Sequence, residues 1–303
     1  MTASNRTVDV VIIGGGPAGC ATGLFTARSD LETLIFDRGK SSIDHCAYLE
    51  NYLGFPAGID IETFCGLAHD HAEAAGCEIL EEMVVSVGQT ATGFEVETQD
   101  GRTVETDRVV AAAKYDAEYL RPLGEEMFKT VERDGESRER FDREYPAEDG
   151  TTPIDGLYVV GPLAGVPDQV LISAGHGGIV GRQIRADARR DQRYWEHVAD
   201  RVDWVRKHQP NNEWTKPERW RQWVHERRPP REELDLSDAK IELITEDIVE
   251  ESLETYLTPE EVDERQRAGH RAIAQALDED VLLEVLEEQT VREFFAASLE
   301  ARR

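Results

Sequence analysis

Three glycines, Gly14, Gly16 and Gly19, follow an unbroken β-branched run at residues 7–13 and open a stretch of small residues, "GPAGCATG". That spacing suits the gripping of a diphosphate. The first glycine allows a tight turn and the second lets a pyrophosphate approach the backbone. The third lets helix and strand pack closely, and Pro17 and Ala18 carry the chain into the helix. The N-terminus of that helix offers N–H groups and a partial positive charge to the phosphates. Asp37 ends the next strand-like run, "ETLIFDRG", about 20 residues on, where a carboxylate can accept hydrogen bonds from both hydroxyls of an adenosine ribose. A dinucleotide is therefore the expected ligand.

The elements that must position these groups are readable around them. Residues 7–13 have the pattern of a strand buried on both faces. Residues 59–76 are rich in Ala, Glu and Leu and read as a helix. From 78 to 113 the pattern turns to short strands, with "QDGR" as a hairpin turn between two alternating runs. "GLYVVG" at 156–161 reads as a last buried strand, followed by a helix from about 175 to 190. Residues 115–152 are charged, poor in apolar residues and broken by Gly and Pro, and read as a solvated linker. After residue 190 helices dominate. Thr258, Pro259 and Glu261 form a capping-box signature ahead of one of them. The expected fold is α/β: a Rossmann-like domain over 1–190, with a central parallel sheet and a small antiparallel β-meander, then a mostly α-helical region over 191–303.

The chain has 62 acids against 34 bases, a formal charge of −28, and six lysines among 303 residues. Self-repulsion of that size strains a compact fold in dilute salt and is screened in brine, so the composition suggests a halophile's protein. No run of about 18 apolar residues exists, and the N-terminus lacks the basic region of a signal peptide. A membrane is therefore not expected, and a cytoplasmic location follows. Cys20, Cys46, Cys65 and Cys77 form neither a C-x-x-C pair nor metal-ligand spacing. His69 and His71, two apart on a helix, point different ways, so no metal is expected.

All five tryptophans fall between Trp195 and Trp223, within a segment (185–231) holding 13 bases and 8 acids. Trp195, Trp204, Trp220 and Trp223 read best as anchors for the helical region. A local excess of +5 inside an acidic chain makes nucleic acid an unexpected partner. A homodimer is left open.

The segments "VVIIGGGPAGCATGLFTAR", "LENYLGFPAGIDIETFCGLAHDHAEAAGCEI" and "GLYVVG" with "DQVLISAGHGG" occur in that order. Together they resemble the FAD-binding domain of the low-molecular-weight thioredoxin reductase family. The resemblance covers about 1–114 and 154–188 and implies FAD rather than NAD. It further implies that Asn51 contacts the flavin and that Gly161 ends a strand beside the ribityl chain. Gln169, Val170, Ala174 and Gly175 would line the ring. His176 would lie in the flavin-edge turn, where a proton donor is useful. Cys46 next to His45 would precede the flavin-facing segment, where a low-pKa thiol is conceivable. For these three the plainer readings stand beside the catalytic ones: a helix-start histidine bonded to backbone or solvent, and neighbours facing opposite ways on an extended chain.

Four departures from the family qualify that picture. Only 115–152 occupies the place of its NADPH domain, and no second glycine fingerprint occurs. The redox C-x-x-C is absent, so thioredoxin reduction is not expected. Pro162 replaces an Asp that would hold a ribityl hydroxyl, a loss of roughly 0.5–1.5 kcal/mol; Asp168 is a candidate substitute. The family's "ATG" at the crossover is "AAAK", ending in Lys114, either near the phosphates or in solvent. The expected function is a flavin-dependent oxidoreductase exchanging electrons with an unidentified small molecule or protein partner. The alternative is a non-catalytic dinucleotide-binding scaffold, sensor or interaction module.

Overall fold

The computed structural model describes residues 6–114, 117–133, 136–201, 206–209, 212–286, 292 and 294. Trp204 lies outside them. The β-branched run forms strand β1 (Arg6–Ile13), in which Val10, Val11 and Ile12 are fully buried. Helix α1 (Pro17–Ala27) follows, then β2 (Thr33–Phe36), every residue of which is buried. Helix α2 (Ile61–Ala74) is capped by Asp60, whose carboxylate accepts from the Thr63 amide at 2.8 Å. Strands β3 (Glu78–Leu80), β4 (Val84–Gln89), β5 (Phe94–Thr98) and β6 (Thr103–Ala111) follow.

One seven-stranded sheet runs in the order β3-β2-β1-β6-β5-β4, and β9 (Leu157–Val159) also pairs with β6. Its β3-β2-β1-β6 part is parallel, with Ile12 between Ile35 and Val110. The β4-β5-β6 part is an antiparallel meander. The hairpin at Gly101, which has φ +80°, stands where "QDGR" places it; Thr98 and Arg102 are bonded across it at 3.0 Å. Strand β6 thus serves two partners along one edge, β5 near its start and β9 near its end.

Helix α3 (Val170–Asp191) begins five residues before the expected start at 175. Its glycines do not mark a boundary but a crossing. A Cβ at Gly177 would stand 2.4 Å from the Ala18 carbonyl of α1, and Thr22 of α1 donates to the Gly177 carbonyl at 3.2 Å. Close approach of two helices explains glycines that sequence periodicity alone reads as a helix edge.

The reading of 115–152 as a solvated linker does not match the structure. The segment holds a hairpin of β7 (Phe128–Arg133) and β8 (Glu136–Phe141), and Leu120 and Met127 in it are fully buried. Tyr119, Leu120, Met127 and Phe141 belong to one apolar cluster with Val87, Phe94 and Val96 of the meander. The charges that suggested a linker stay outside, where Arg121 gathers Glu118, Glu125 and Glu139. The apolar residues are few and follow no period, so their burial left no sequence signal.

The helical region divides elsewhere than at 190. One compact unit runs from the N-terminus to Tyr256, and the second spans Leu257–Arg303. Within the first, α4 (Glu196–Ala199), α5 (Pro217–Glu226) and α6 (Asp238–Glu254) share a cluster of Trp195, Val198, Val224, Ile244 and Ile248. Arg185 and Arg189 of α3 both bind Glu251 of α6. Trp195 is buried; Trp214 and Trp220 lie edge to face at 4.8 Å, and Trp220 donates to the Trp214 carbonyl at 2.8 Å. In the second unit, α7 (Pro259–Gln275) opens on the capping box anticipated at Thr258: its hydroxyl accepts from the Glu261 amide at 3.3 Å, and the Glu261 carboxylate accepts from the Thr258 amide at 2.8 Å. A shorter helix, α8 (Glu279–Val285), follows. Among the described residues no helix is long and apolar enough to cross a membrane, and no cluster of His, Cys, Asp and Glu suits a metal ion.

A candidate dinucleotide site

The ends of β1, β2 and β6 meet at one edge of the parallel sheet. The Gly14 amide donates to the Phe36 carbonyl at 2.8 Å, and the Ala112 amide to the Ile13 carbonyl at 2.9 Å. Gly14 has φ +118°, which a side chain opposes, and a Cβ there would stand 3.0 Å from the Ala112 carbonyl carbon. Helix α1 starts immediately beyond, with Gly16 as N-cap and Pro17 in its first turn. That first turn has no intrahelical acceptors for its amides.

This edge opens into a cavity of about 380 Å³. Gly14, Gly16, Pro17, Ala18 and Asp37 line it, and so do Asn51, Gln169, Val170, Pro162, Lys114 and Asp168. The sequence-derived residues are thus largely brought together around one space. Gly19 is not on the wall; it is buried behind it, with its Cβ position 1.9 Å from the Gly14 carbonyl oxygen, so it shapes the cradle without facing a ligand. Gly161 also lies off the wall, and so do Ala174 and Gly175, because α3 begins at Val170 and its own first turn supplies Val170 and Ser173 instead.

His176 is buried among backbone groups. Its Nδ1 accepts from the Gly161 amide at 3.0 Å, and its Nε2 donates to the Glu148 carbonyl at 3.1 Å. Burial pushes its pKa down, which keeps the imidazole neutral, as that bonding pattern requires. It fastens Gly161, which has φ +72°, and does not line the cavity. Cys46 is exposed and lines the cavity; His45 is exposed and does not. Cys65 and Cys77 are pushed up by burial, to about 11 and about 12, which removes them as nucleophiles at neutral pH.

Two further residues shape the site. A Cβ at Gly15 would fall 2.7 Å from both Cβ and Oδ2 of Asp37, so only glycine brings the loop onto the acid. His69 on α2 closes the arrangement: its Nε2 donates to the Gly15 carbonyl at 2.8 Å and lies 3.3 Å from Asp37 Oδ2. The Asp37 carboxylate, and after it the Cys20 side chain, raises the His69 pKa to about 11, and the protonated imidazole in turn holds Asp37 below the usual carboxylate range. Asp37 also accepts from the Gly39 amide at 3.1 Å through Oδ1. A carboxylate has about four acceptor positions, so room for ribose hydroxyls remains. The pairing of His69 with His71 hid this role. The signal was its place four residues after Cys65 and three before Ala72, on the buried side of α2.

Other parts of the cavity wall are built from side chains that hold one another. Asn51 donates to the Gln169 side-chain oxygen at 2.8 Å, across 118 residues of sequence, and Lys114 is ion-paired with Asp168.

Residues 8–113 match the family model described as pyridine nucleotide-disulphide oxidoreductase. A thioredoxin reductase of Aquifex aeolicus (strain VF5) is 27% identical over 130 residues, which is 42% of this chain and 40% of that protein. NADPH-dependent thioredoxin reductase 3 of Arabidopsis thaliana is 32% identical over 126 residues, 40% of this chain and 24% of that one. The chain thus spans two fifths or less of the length of these relatives. A solved thioredoxin reductase from Gloeobacter violaceus superposes with a TM-score of 0.52 at 17% identity, over 67% of this chain and 100% of that one; this likeness concerns the fold alone. The chain carries a pyridine nucleotide-disulphide oxidoreductase domain, with partial homology to thioredoxin reductases over about 40% of its length.

Proposed function

We propose that this chain binds FAD and works as a flavin-dependent oxidoreductase, exchanging electrons with a small molecule or protein partner. One observation carries the reading: a single cavity is lined by the glycine cradle and Asp37 together with Asn51, Gln169 and Val170. The residues fit the group. Gly14 and Gly16 would border the diphosphate, Asp37 the adenosine ribose, and Asn51 with Gln169 the ring. A bound flavin supplies the hydride and electron chemistry itself. The protein's share is to bind, orient and exclude water. Thioredoxin reduction is not part of the proposal, because the 303 residues contain no C-x-x-C. The acidic surface is read as an adaptation to high salt.

Purified protein in molar salt, supplied with FAD, is expected to retain a flavin absorbance band after desalting into the same salt. Binding of NAD with indifference to FAD would overturn the assignment. A second reading, a dinucleotide-binding module without redox turnover, draws on Pro162 and on the Lys114–Asp168 pair that stands across the cavity. Anaerobic titration of bound flavin with NADH, NADPH and thiols separates the two, since a flavin that none of them reduces favours the second.

A further inference from the structure

Lys114 leaves the sheet at the rim of the phosphate cradle. The backbone of Ala112 and Ala113, just before it, lies 3.0 to 3.2 Å from the position a Gly14 Cβ would take. Its side chain is 16% exposed, whereas that of its partner Asp168 is 62% exposed. Asp168 directly precedes Gln169, the N-cap of α3. The pair therefore reaches from the cradle to the start of α3, in a cavity where Pro162 offers no side-chain acceptor.

The two partners are unequally committed. An ammonium held largely out of water has lost hydration and needs an anion nearby. A carboxylate open to solvent gives up such a pair at little cost, because exposed ion pairs are weak. A diphosphate in the same cavity brings more negative charge and several acceptor oxygens, next to the positive end of α1. We propose that Lys114 is a phosphate-binding cation of this site and that Asp168 is its exchangeable counter-ion, displaced when a dinucleotide enters. This rests on the dinucleotide reading above. It also accounts for a lysine where the related family carries a small turn: the cation adds to the cradle a fixed charge that backbone amides lack.

The test uses the full-length protein, with FAD and ADP as probes and adenosine as the phosphate-free control, by equilibrium titration at one fixed salt concentration. Wild type is measured first. Failure to bind either FAD or ADP removes both the dinucleotide reading and this inference. Where wild type binds, the variants decide the inference alone. Lys114→Met is expected to weaken FAD and ADP about tenfold and to leave adenosine within about twofold. Lys114→Arg keeps the cation and is expected to stay within about threefold of wild type. Asp168→Asn, which removes the competing carboxylate, is expected to tighten ADP about threefold. Equal losses for ADP and adenosine in Lys114→Met, or weaker ADP binding in Asp168→Asn, would overturn the proposal. Thermal melts of each variant show that the fold is retained.

Discussion

Two parts of the cavity wall are built by different means. At the cradle the wall is backbone, and its shape comes from contacts that leave no room for a side chain: Gly19 against the Gly14 carbonyl, and Gly15 against Asp37. Elsewhere the wall is side chains that pair with each other, Asn51 with Gln169 and, from the rim of the cradle, Lys114 with Asp168. A wall held by such backbone contacts as the cradle's resists rearrangement. Paired side chains are the more adjustable kind of wall, and Pro162 lines the same cavity. The contrast separates a wall fixed by backbone packing from one held by side-chain pairs.

The sharpest way to break the comparison is Gly19→Ala. Its methyl group would stand 1.9 Å from a backbone oxygen, so α1 must move off β1. A loss of about 3 kcal/mol or more in chemical unfolding is expected, with FAD binding abolished; a variant of wild-type stability would mean the cradle is not rigid. Asp37→Ala comes next. It removes the ribose acceptor and leaves His69 without its carboxylate, and about 2 kcal/mol of stability is expected to go with it. Nucleotide affinity should fall at the same time.

His69 gives a pH test of the same part. Its pKa is raised from 6.5 to about 11, so the stability it confers is complete below its ordinary value and drains as pH rises toward 11. Asp37 is shifted down, so its share is present above its ordinary 3.8 and is lost as pH falls through its lowered value. The difference in Tm between wild type and His69→Phe is therefore expected to be widest from about pH 4 to 6.5 and to narrow on both sides. A difference that does not change with pH would show that the ring acts by packing alone. The smallest effect is expected at the adjustable part: Asn51→Ala breaks one exposed pair and should change Tm by no more than about 2 °C. A larger drop would make that part as rigid as the cradle.

Much of the cradle was legible because it depends on local chemistry. Glycine spacing after a β-branched run, an acid at the next strand end, a Gly-bearing hairpin and the Thr258 capping box are each fixed by a few neighbouring residues. Three features were not legible, for a common reason: they depend on residues distant in sequence. The packing of Leu120 and Met127 beneath the β7–β8 hairpin needs the meander as its partner. The early start of α3 reflects its crossing with α1, which uses Gly177 as a contact. His69 matters through Gly15 and Asp37, more than 30 residues away, and reading it against His71 alone could not show that.

The most direct test of the central claim, that one cavity holds an adenine dinucleotide from cradle to ring, is an FAD titration followed by absorbance and compared with ADP. The account predicts saturable binding of both, with FAD tighter than ADP because the ring end adds contacts, and a shifted flavin spectrum. ADP binding as tight as FAD, with an unperturbed flavin spectrum, would contradict it.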